Sequence, residues 1–233
     1  MHIYITGGSG RNGSLVIAEA LQRGHTVTAL VRNPSSMPSH ANLTVLQGSP
    51  LNQPDVERAL ATPLRASAVV STLSLARTGT SPFSPLRGDT TLDFMSRATS
   101  VLLSALSAVF SNPPASAPKI IINSTLGAGD SWGNMAWPFR LLFSQTPMRF
   151  GVADHNLVDG LVRASGRRFV LARAGRLTEQ KKEEDPVADV RVLPDNAKGL
   201  GVADALTRQS LARWLLRAAE EDTWDGKAPV LVN

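Results

Sequence analysis

Eight residues near the start of the chain, Thr6-Gly7-Gly8-Ser9-Gly10-Arg11-Asn12-Gly13, restrict its fold more than any other stretch. The glycines fall as Gly8-x-Gly10-x-x-Gly13 and, in a second frame, as Gly7-x-x-Gly10-x-x-Gly13. Before them, His2 to Ile5 reads as a short apolar strand. After them, Ser14 to Arg23 carries Leu15, Val16, Ala18, Ala20 and Leu21 in a helical pattern that Gly24 closes. In such a strand–turn–helix unit one glycine permits a tight turn at positive φ. Another lets the backbone approach a diphosphate with no Cβ in the way, and the last lets the helix pack closely on the strand. Unpaired N–H groups at the helix N-terminus then face the phosphates. A glycine triplet alone would suit a flexible loop equally well. The strand before it and the helix after it favour a dinucleotide site built from Gly7, Gly8, Ser9, Gly10, Arg11, Asn12 and Gly13.

The rest of the chain repeats the strand–helix alternation. Strands are expected at Thr26 to Val31, Leu43 to Gln47, Ala68 to Leu73, Lys119 to Ser124, Arg168 to Arg173 and Pro229 to Val232. Helices are expected at Pro54 to Leu60, Thr91 to Phe110, Asp154 to Ala164 and Leu206 to Glu221. Lys119 to Ser124 is isoleucine-rich on both faces, as a buried parallel strand requires. This pattern predicts an α/β fold: a Rossmann-type doubly wound parallel sheet in a single domain, residues 1–233, with small C-terminal substrate-binding insertions. The cofactor half would span about 1–125, and substrate-covering segments about 127–152 and 175–203. Ala76 to Asp89 and Asn112 to Pro118 read as loops. Gly127 to Val152 holds Trp132, Trp137, Phe139, Phe143 and Phe150. Such a cluster past a strand's carboxyl end is either a substrate lid or a satellite core, and its place outside the strand ends favours the lid.

The second strand runs into Leu30-Val31-Arg32-Asn33-Pro34. An acidic residue at that strand end would bind the ribose 2′-OH of NAD. Arg32 stands there instead, and a guanidinium pairs with a 2′-phosphate through its planar fork, so NADP(H) is the expected cofactor. Arg11 is placed to add a second contact.

The net charge of +5 would suit nucleic acid, but the basic residues are scattered. The Lys181-Lys182 pair runs straight into Glu183-Glu184-Asp185, as a solvated loop does. A polyanionic cofactor fits that charge as well, and no nucleic-acid partner is expected. The chain has no cysteine, which removes thiolate catalysis and disulfides and fits a reducing compartment. No apolar run is long enough to span a membrane, and the first residues lack the pattern of a secretory leader, so a cytoplasmic location is expected. The histidines at 2, 25, 40 and 155 lack metal-ligand spacing, so no metal site is expected. The helix at 91–110 either packs on the sheet or pairs with a second copy in a homodimer.

These residues resemble the short-chain dehydrogenase/reductase superfamily in its atypical NAD(P)H-binding branch, which includes NmrA-like proteins and biliverdin reductase B. Thr-Gly-Gly-x-Gly-x-x-Gly at 6–13 and Val-Arg-Asn-Pro at 31–34 carry the likeness most specifically. Val70-Ser71-Thr72-Leu73 is similar to the family's fourth strand end, which implies cofactor contacts from Ser71, Thr72 and Leu73. Asn123-Ser124-Thr125-Leu126-Gly127 is similar to its fifth. Leu161 to Gly175 resembles the family's "arginine, serine-glycine, strand, Arg-Pro-Gly" stretch, here ending Arg173-Ala174-Gly175. Where relatives often have Gly-Asp after the third strand, this chain has Gly48-Ser49-Pro50, so adenine contacts are expected to be weaker or made by backbone.

Typical members use a Tyr-x-x-x-Lys pair plus a serine for proton delivery. The one tyrosine here is Tyr4, in the first strand, so that relay is absent. Ser124 and the Asp154-His155 pair stand nearest the expected place. Ser124 either bonds the substrate or carboxamide, or caps a turn. His155 either acts as general acid or substrate-orienting donor, with a charge that could change near neutral pH, or lies on the surface behind an Asp154 N-cap. The resemblance implies an Asp-His pair, or in many relatives a lysine, at this distance before the arginine element. The expected activity is NADPH-dependent reduction of a small hydrophobic or planar substrate. The alternatives are a non-catalytic NADP(H)-binding regulator and a non-redox dehydratase or isomerase on the same scaffold.

Overall fold

The computed structural model describes residues 1–81, 83–110, 117–180 and 186–233. The expected loop at 112–118 lies outside these except for its last two residues, and the mixed-charge run at 181–185 lies wholly outside. Eight strands form one sheet in the order β3(Leu43–Gln47), β2(Thr26–Val31), β1(His2–Thr6), β4(Ala68–Ser71), β5(Lys119–Thr125), β6(Phe169–Ala174), β10(Val230–Val232), β8(Arg191–Leu193). All neighbours run parallel except β8, which pairs antiparallel with β10. A separate parallel pair joins β7(Arg176–Thr178) to β9(Ala205–Thr207). β1 is fully buried between β2 and β4, and the strand order reverses across it. That reversal opens a crevice at the carboxyl ends of β1 and β4, where doubly wound sheets bind ligands.

Helices cover both faces. α1(Arg11–Gln22) and α6(Arg208–Glu220) pack together on one side, over a core that includes Ile3, Ile5, Val70, Ile121, Leu211 and Leu215. α2(Gln53–Ala61), α3(Phe94–Val109) and α5(Met148–Ala164) cover the other, over Tyr4, Val69, Ile120, Ile122 and Leu171. The alternation along β5, Ile121 to one core and Ile120 and Ile122 to the other, is the period of two that sends successive side chains to opposite faces. α3 packs against α2 and α5, burying Met95, Ala98, Leu102, Ala105 and Leu106. A buried amine helps fix β5. Lys119 is 2 % exposed, donates to the carbonyls of Ala218 and Glu221 at the end of α6, and meets Asp222 at 2.8 Å and Asp225 at 2.7 Å. Helix-end carbonyls and carboxylates are the partners a buried ammonium needs.

Two expectations change here. α5 begins at Met148, not Asp154, because Pro147 starts the helix and the helix runs through Gly151. The aromatic segment folds largely as a satellite core: Leu126, Met135, Phe143 and Val152 pack with Leu193, Val230 and Val232 beside the β8–β10 edge, joined by Trp132 and Phe139. That edge gives these side chains apolar area to bury, which a lid over open solvent would not. Trp137, on α4(Trp137–Gln145), stays 74 % exposed.

Candidate cofactor and active site

The glycine turn joins β1 to α1 in the geometry its sequence requires. Gly7 has φ +79, and a Cβ there would meet Thr72 Oγ1 at 2.8 Å and the Thr72 carbonyl carbon at 2.9 Å. A Cβ on Gly13 would lie 2.2 Å from the Gly7 carbonyl oxygen and 2.8 Å from the Gly8 Cα. The turn closes through Gly10 N–H donating to Gly7 O at 3.0 Å, and α1 starts from Ser14 N–H donating to Gly10 O at 2.9 Å. α1 therefore begins three residues before the expected Ser14, inside the turn itself. No side chain caps it and its first turn holds no acidic residue, so the leading N–H groups and the positive end of the helix dipole stay open to an anion. Backbone that only glycine permits, opening on free N–H donors, fits a dinucleotide diphosphate.

β4 braces this cradle. Thr72 N–H donates to Thr6 O at 3.0 Å, and its hydroxyl donates to Thr6 O at 3.1 Å and Gly7 O at 3.2 Å. Ser71 is buried at the strand end, and Leu73 packs toward the α2–α3 core. Thr72 thus locks the turn as well as edging the crevice. The Asn12 carboxamide is also engaged, since its oxygen accepts from the Arg208 guanidinium at the head of α6. What Asn12 can offer a phosphate is its backbone N–H. Arg32 is exposed at the end of β2, and its guanidinium has no ion-pair partner among the described residues. Asn33 behind it caps a short turn by accepting from Ser35 N–H at 3.2 Å. A cavity of about 380 Å³ opens between the turn, the flank of α1 and the 36–40 loop, lined by Gly8, Ser9, Ser14, Ser36, Met37 and His40. Asp55 of α2 accepts from Ser49 N–H at 3.0 Å, beneath Gly48, and a Cβ on Gly48 would meet that carboxylate at 2.7 Å. Its signal in the sequence was only the Asn52-Gln53-Pro54 helix start preceding it.

At the other end of the crevice the structure brings both catalytic candidates to one face. Ser124 lies one residue beyond Asn123 on β5 and pairs in register with Arg173. By alternation Ser124 and Arg173 face the α3–α5 side, as Ile122 and Leu171 do. Ser124 is 7 % exposed, and its hydroxyl makes no hydrogen bond among the described residues. His155 lies on the buried side of α5, one turn before Val158 of the same core. It is 8 % exposed, and its Nδ1 has no partner among the described residues. Burial lowers its pKa to about 4. Neither a surface position nor titration near neutral pH therefore holds for His155: above pH 5 it is a neutral imidazole able to donate a hydrogen bond.

Asp154 is not an N-cap of its own helix. It lies 1 % exposed inside α5 and accepts from Met95 N–H at 2.8 Å and Ser96 N–H at 3.0 Å. It caps α3 across the interface, where the N-terminal Asp93 makes no side-chain cap bond. Four residues after His155, Asp159 accepts from Arg173 Nη2 at 2.8 Å, while Arg173 Nη1 donates to Asp195 O at 2.7 Å. Arg173 is 1 % exposed and presses on Gly129, where a Cβ would lie 2.2 Å from Nη2. α5 is thus held at two successive turns that flank His155. Tyr4 is 1 % exposed within the opposite part of the same core, and burial pushes its phenol up, which removes it from proton transfer.

A neutral buried histidine has a stability signature. Its pKa in the fold lies below the ordinary 6.5, so the unfolded chain binds the extra proton first as pH falls. The His155 contribution is whole above pH 6.5 and is lost progressively down to about pH 4, by roughly 3 kcal/mol in all. Chemical denaturation of wild type and His155→Gln between pH 4 and 7.5 is expected to show a steeper slope in wild type, because burial also lowers the pKa of His2 and that share of the slope stays in both. An equal slope in both would place the titration elsewhere.

The model of the NAD(P)H-binding family matches residues 7–222. A short-chain dehydrogenase/reductase from Veillonella parvula, solved in complex with NADP, superposes with a TM-score of 0.73 at 18% identity, over 100% of this chain and 94% of that one. ChuY of Escherichia coli O157:H7, described as an anaerobillin reductase, superposes with a TM-score of 0.68 at 17% identity, over 100% and 97%. At such identities the likeness is one of fold. A 3-beta-hydroxysteroid dehydrogenase from Mycolicibacterium neoaurum is 41% identical over 59 residues, which are 25% of this chain and only 16% of that protein. Among the described residues no helix is long and apolar enough to cross a membrane, and no cluster of His, Cys, Asp and Glu could hold a metal ion.

Proposed function

The chain belongs to the NAD(P)H-binding family, and from that premise we propose that it is an NADPH-dependent oxidoreductase acting on a small hydrophobic or planar substrate. The observation that carries this reading is the uncapped head of α1 behind the Gly7–Gly13 turn, with the Arg32 guanidinium, without an ion-pair partner among the described residues, at the neighbouring strand end. The turn's backbone N–H groups would hold the diphosphate. Arg32 would pair with the 2′-phosphate, aided by the hydroxyl of Ser9 in the adjoining cavity. The cofactor supplies the hydride. Ser124 would orient the carboxamide or the substrate oxygen, and neutral His155 would donate a hydrogen bond to that oxygen, with Asp154 and Arg173 keeping α5 in place. The NADP-bound Veillonella parvula structure and the reductase description of ChuY support the same reading.

Arg32→Gln is expected to cut the preference for NADPH over NADH by about 30-fold, through loss of a charge-assisted pair to the 2′-phosphate. Calorimetry with both dinucleotides reads this ratio, and an unchanged ratio would rule out the Arg32 assignment. A panel of quinones, flavins and enones followed by NADPH absorbance tests turnover. A second reading has its own support: the buried, uncharged His155 and the missing tyrosine relay suit a protein that binds NADP(H) and regulates a partner without chemistry. That reading expects tight binding of both redox forms and no turnover of any compound in the panel.

A further inference from the structure

The Asn12 carboxamide stands inside the phosphate cradle, where its oxygen could work against a cofactor. Asn12 is the second residue of α1, and the first helical bond is the one from Ser14 N–H to Gly10 O. The N–H groups of Arg11, Asn12 and Gly13 therefore lack helical acceptors. An asparagine side chain in such a place readily accepts from its own or a neighbouring backbone N–H. That bond would cap α1 from within and fill the donors that a diphosphate needs.

A side chain from far along the chain holds it away. Asn12 Oδ1 accepts instead from Nη1 of Arg208. Arg208 opens α6 behind Thr207, whose hydroxyl caps that helix by accepting from Ser210 N–H at 3.2 Å. α6 lies along α1, and Arg23 joins their far ends by donating to Glu220 at 2.8 Å and to the Arg213 carbonyl at 3.3 Å. Arg208 Nε donates to Glu179 at 2.7 Å. Thr178 and Thr207 pair in register between β7 and β9, so Glu179 and Arg208 follow directly on paired positions. The Arg208 side chain is only 12 % exposed, and its planar guanidinium is fixed by Glu179 on one edge and Asn12 on another.

Resting on the cofactor reading above, we propose that Arg208 is a positioning residue of the dinucleotide site: by occupying Asn12 Oδ1, it keeps the free N–H groups of α1 open to the diphosphate. Arg208 acts through Asn12 and needs no contact with the cofactor, while Glu179 aims its guanidinium. NADPH and NADH share the diphosphate, so Arg208 sets affinity for both and leaves the choice between them to Arg32.

Calorimetry with NADPH and NADH on Arg208 variants, made with Asn12 present and in an Asn12→Ala background, tests this. Arg208→Met releases the Asn12 oxygen and is expected to weaken NADPH and NADH alike by about tenfold. In the Asn12→Ala background, which has no side-chain acceptor to release, the same substitution should change either affinity by less than about twofold. Arg208→Lys keeps the charge but offers one nitrogen to two partners. It should lose about threefold with the same dependence on Asn12, so the test stands even where Arg208→Met folds poorly. A purely structural Arg208 would lower Tm without this dependence. Equal losses with and without the Asn12 carboxamide, a loss confined to NADPH, or unchanged affinity in both Arg208 variants each overturn the proposal. Wild type that binds neither dinucleotide would instead remove the cofactor reading on which it rests.

Discussion

Gly13→Ala is expected to weaken dinucleotide binding by about 100-fold or more, while the protein still folds. The added methyl would lie 2.2 Å from the Gly7 carbonyl oxygen and 2.8 Å from the Gly7 carbonyl carbon and the Gly8 Cα. All three are backbone atoms of the cradle, so relief means opening the turn or pushing α1 off β1. Overpacking of this kind costs about 1–3 kcal/mol, and that strain falls on the N–H groups that face the phosphates. Gly8→Ala should be milder, because its near contact is the movable end of Ile17 at 2.8 Å. Gly160→Ala is the control. Inside α5, where no atom beyond the neighbouring helix backbone comes within 4 Å of the added carbon, it should raise stability by about 0.5–1 kcal/mol and leave binding alone. Calorimetry on the three variants checks the order, and equal binding by wild type and Gly13→Ala would mean that the diphosphate lies elsewhere.

Asp154→Ala should have the largest effect on folding of any substitution outside the glycine turn. It removes both acceptors from the first turn of α3 and leaves the Met95 and Ser96 N–H groups buried without partners. Unsatisfied buried donors, with loss of a charge at a helix N-terminus, cost about 2–4 kcal/mol together. For a chain of this size that lowers Tm by roughly 5–15 °C. Asp154→Asn keeps one oxygen in place and should recover part of the loss. A local N-cap on α5 would predict something smaller, about 1 kcal/mol, with no sensitivity in α3. Thermal melts, with amide exchange read at the head of α3, separate the two.

The order of these effects follows how openly each feature is written in the chain. Strands β2 and β3 have the bounds their alternation and flanking turns predict, and the strand and helix around the glycine turn need only local rules. The place of Arg32 was legible too, as an exposed cation just past the end of β2. Ser124 was legible as a strand-end residue, though not the face it would share with His155. The short strands β7, β8 and β9 were not, since each depends on the edge it pairs with and, unlike the wholly apolar Val230–Val232 of β10, begins or ends on a polar residue or is only partly buried. The aromatic run at 127–152 carried the right composition for either a lid or a core. Only the β8–β10 edge beside it decided which.

Local chemistry by itself determined a βαβ phosphate cradle, a parallel sheet and the end of the crevice where a cofactor belongs, because steric and hydrogen-bonding rules act between residues a few positions apart. Tertiary structure decided what long-range packing alone can set. Asp154 serves a helix about 60 positions earlier, and Arg173 clamps Asp159. Burial strips His155 of its charge. A side chain's partner and its charge depend on which distant surfaces close over it, and that information is spread over the whole fold rather than held in any one motif.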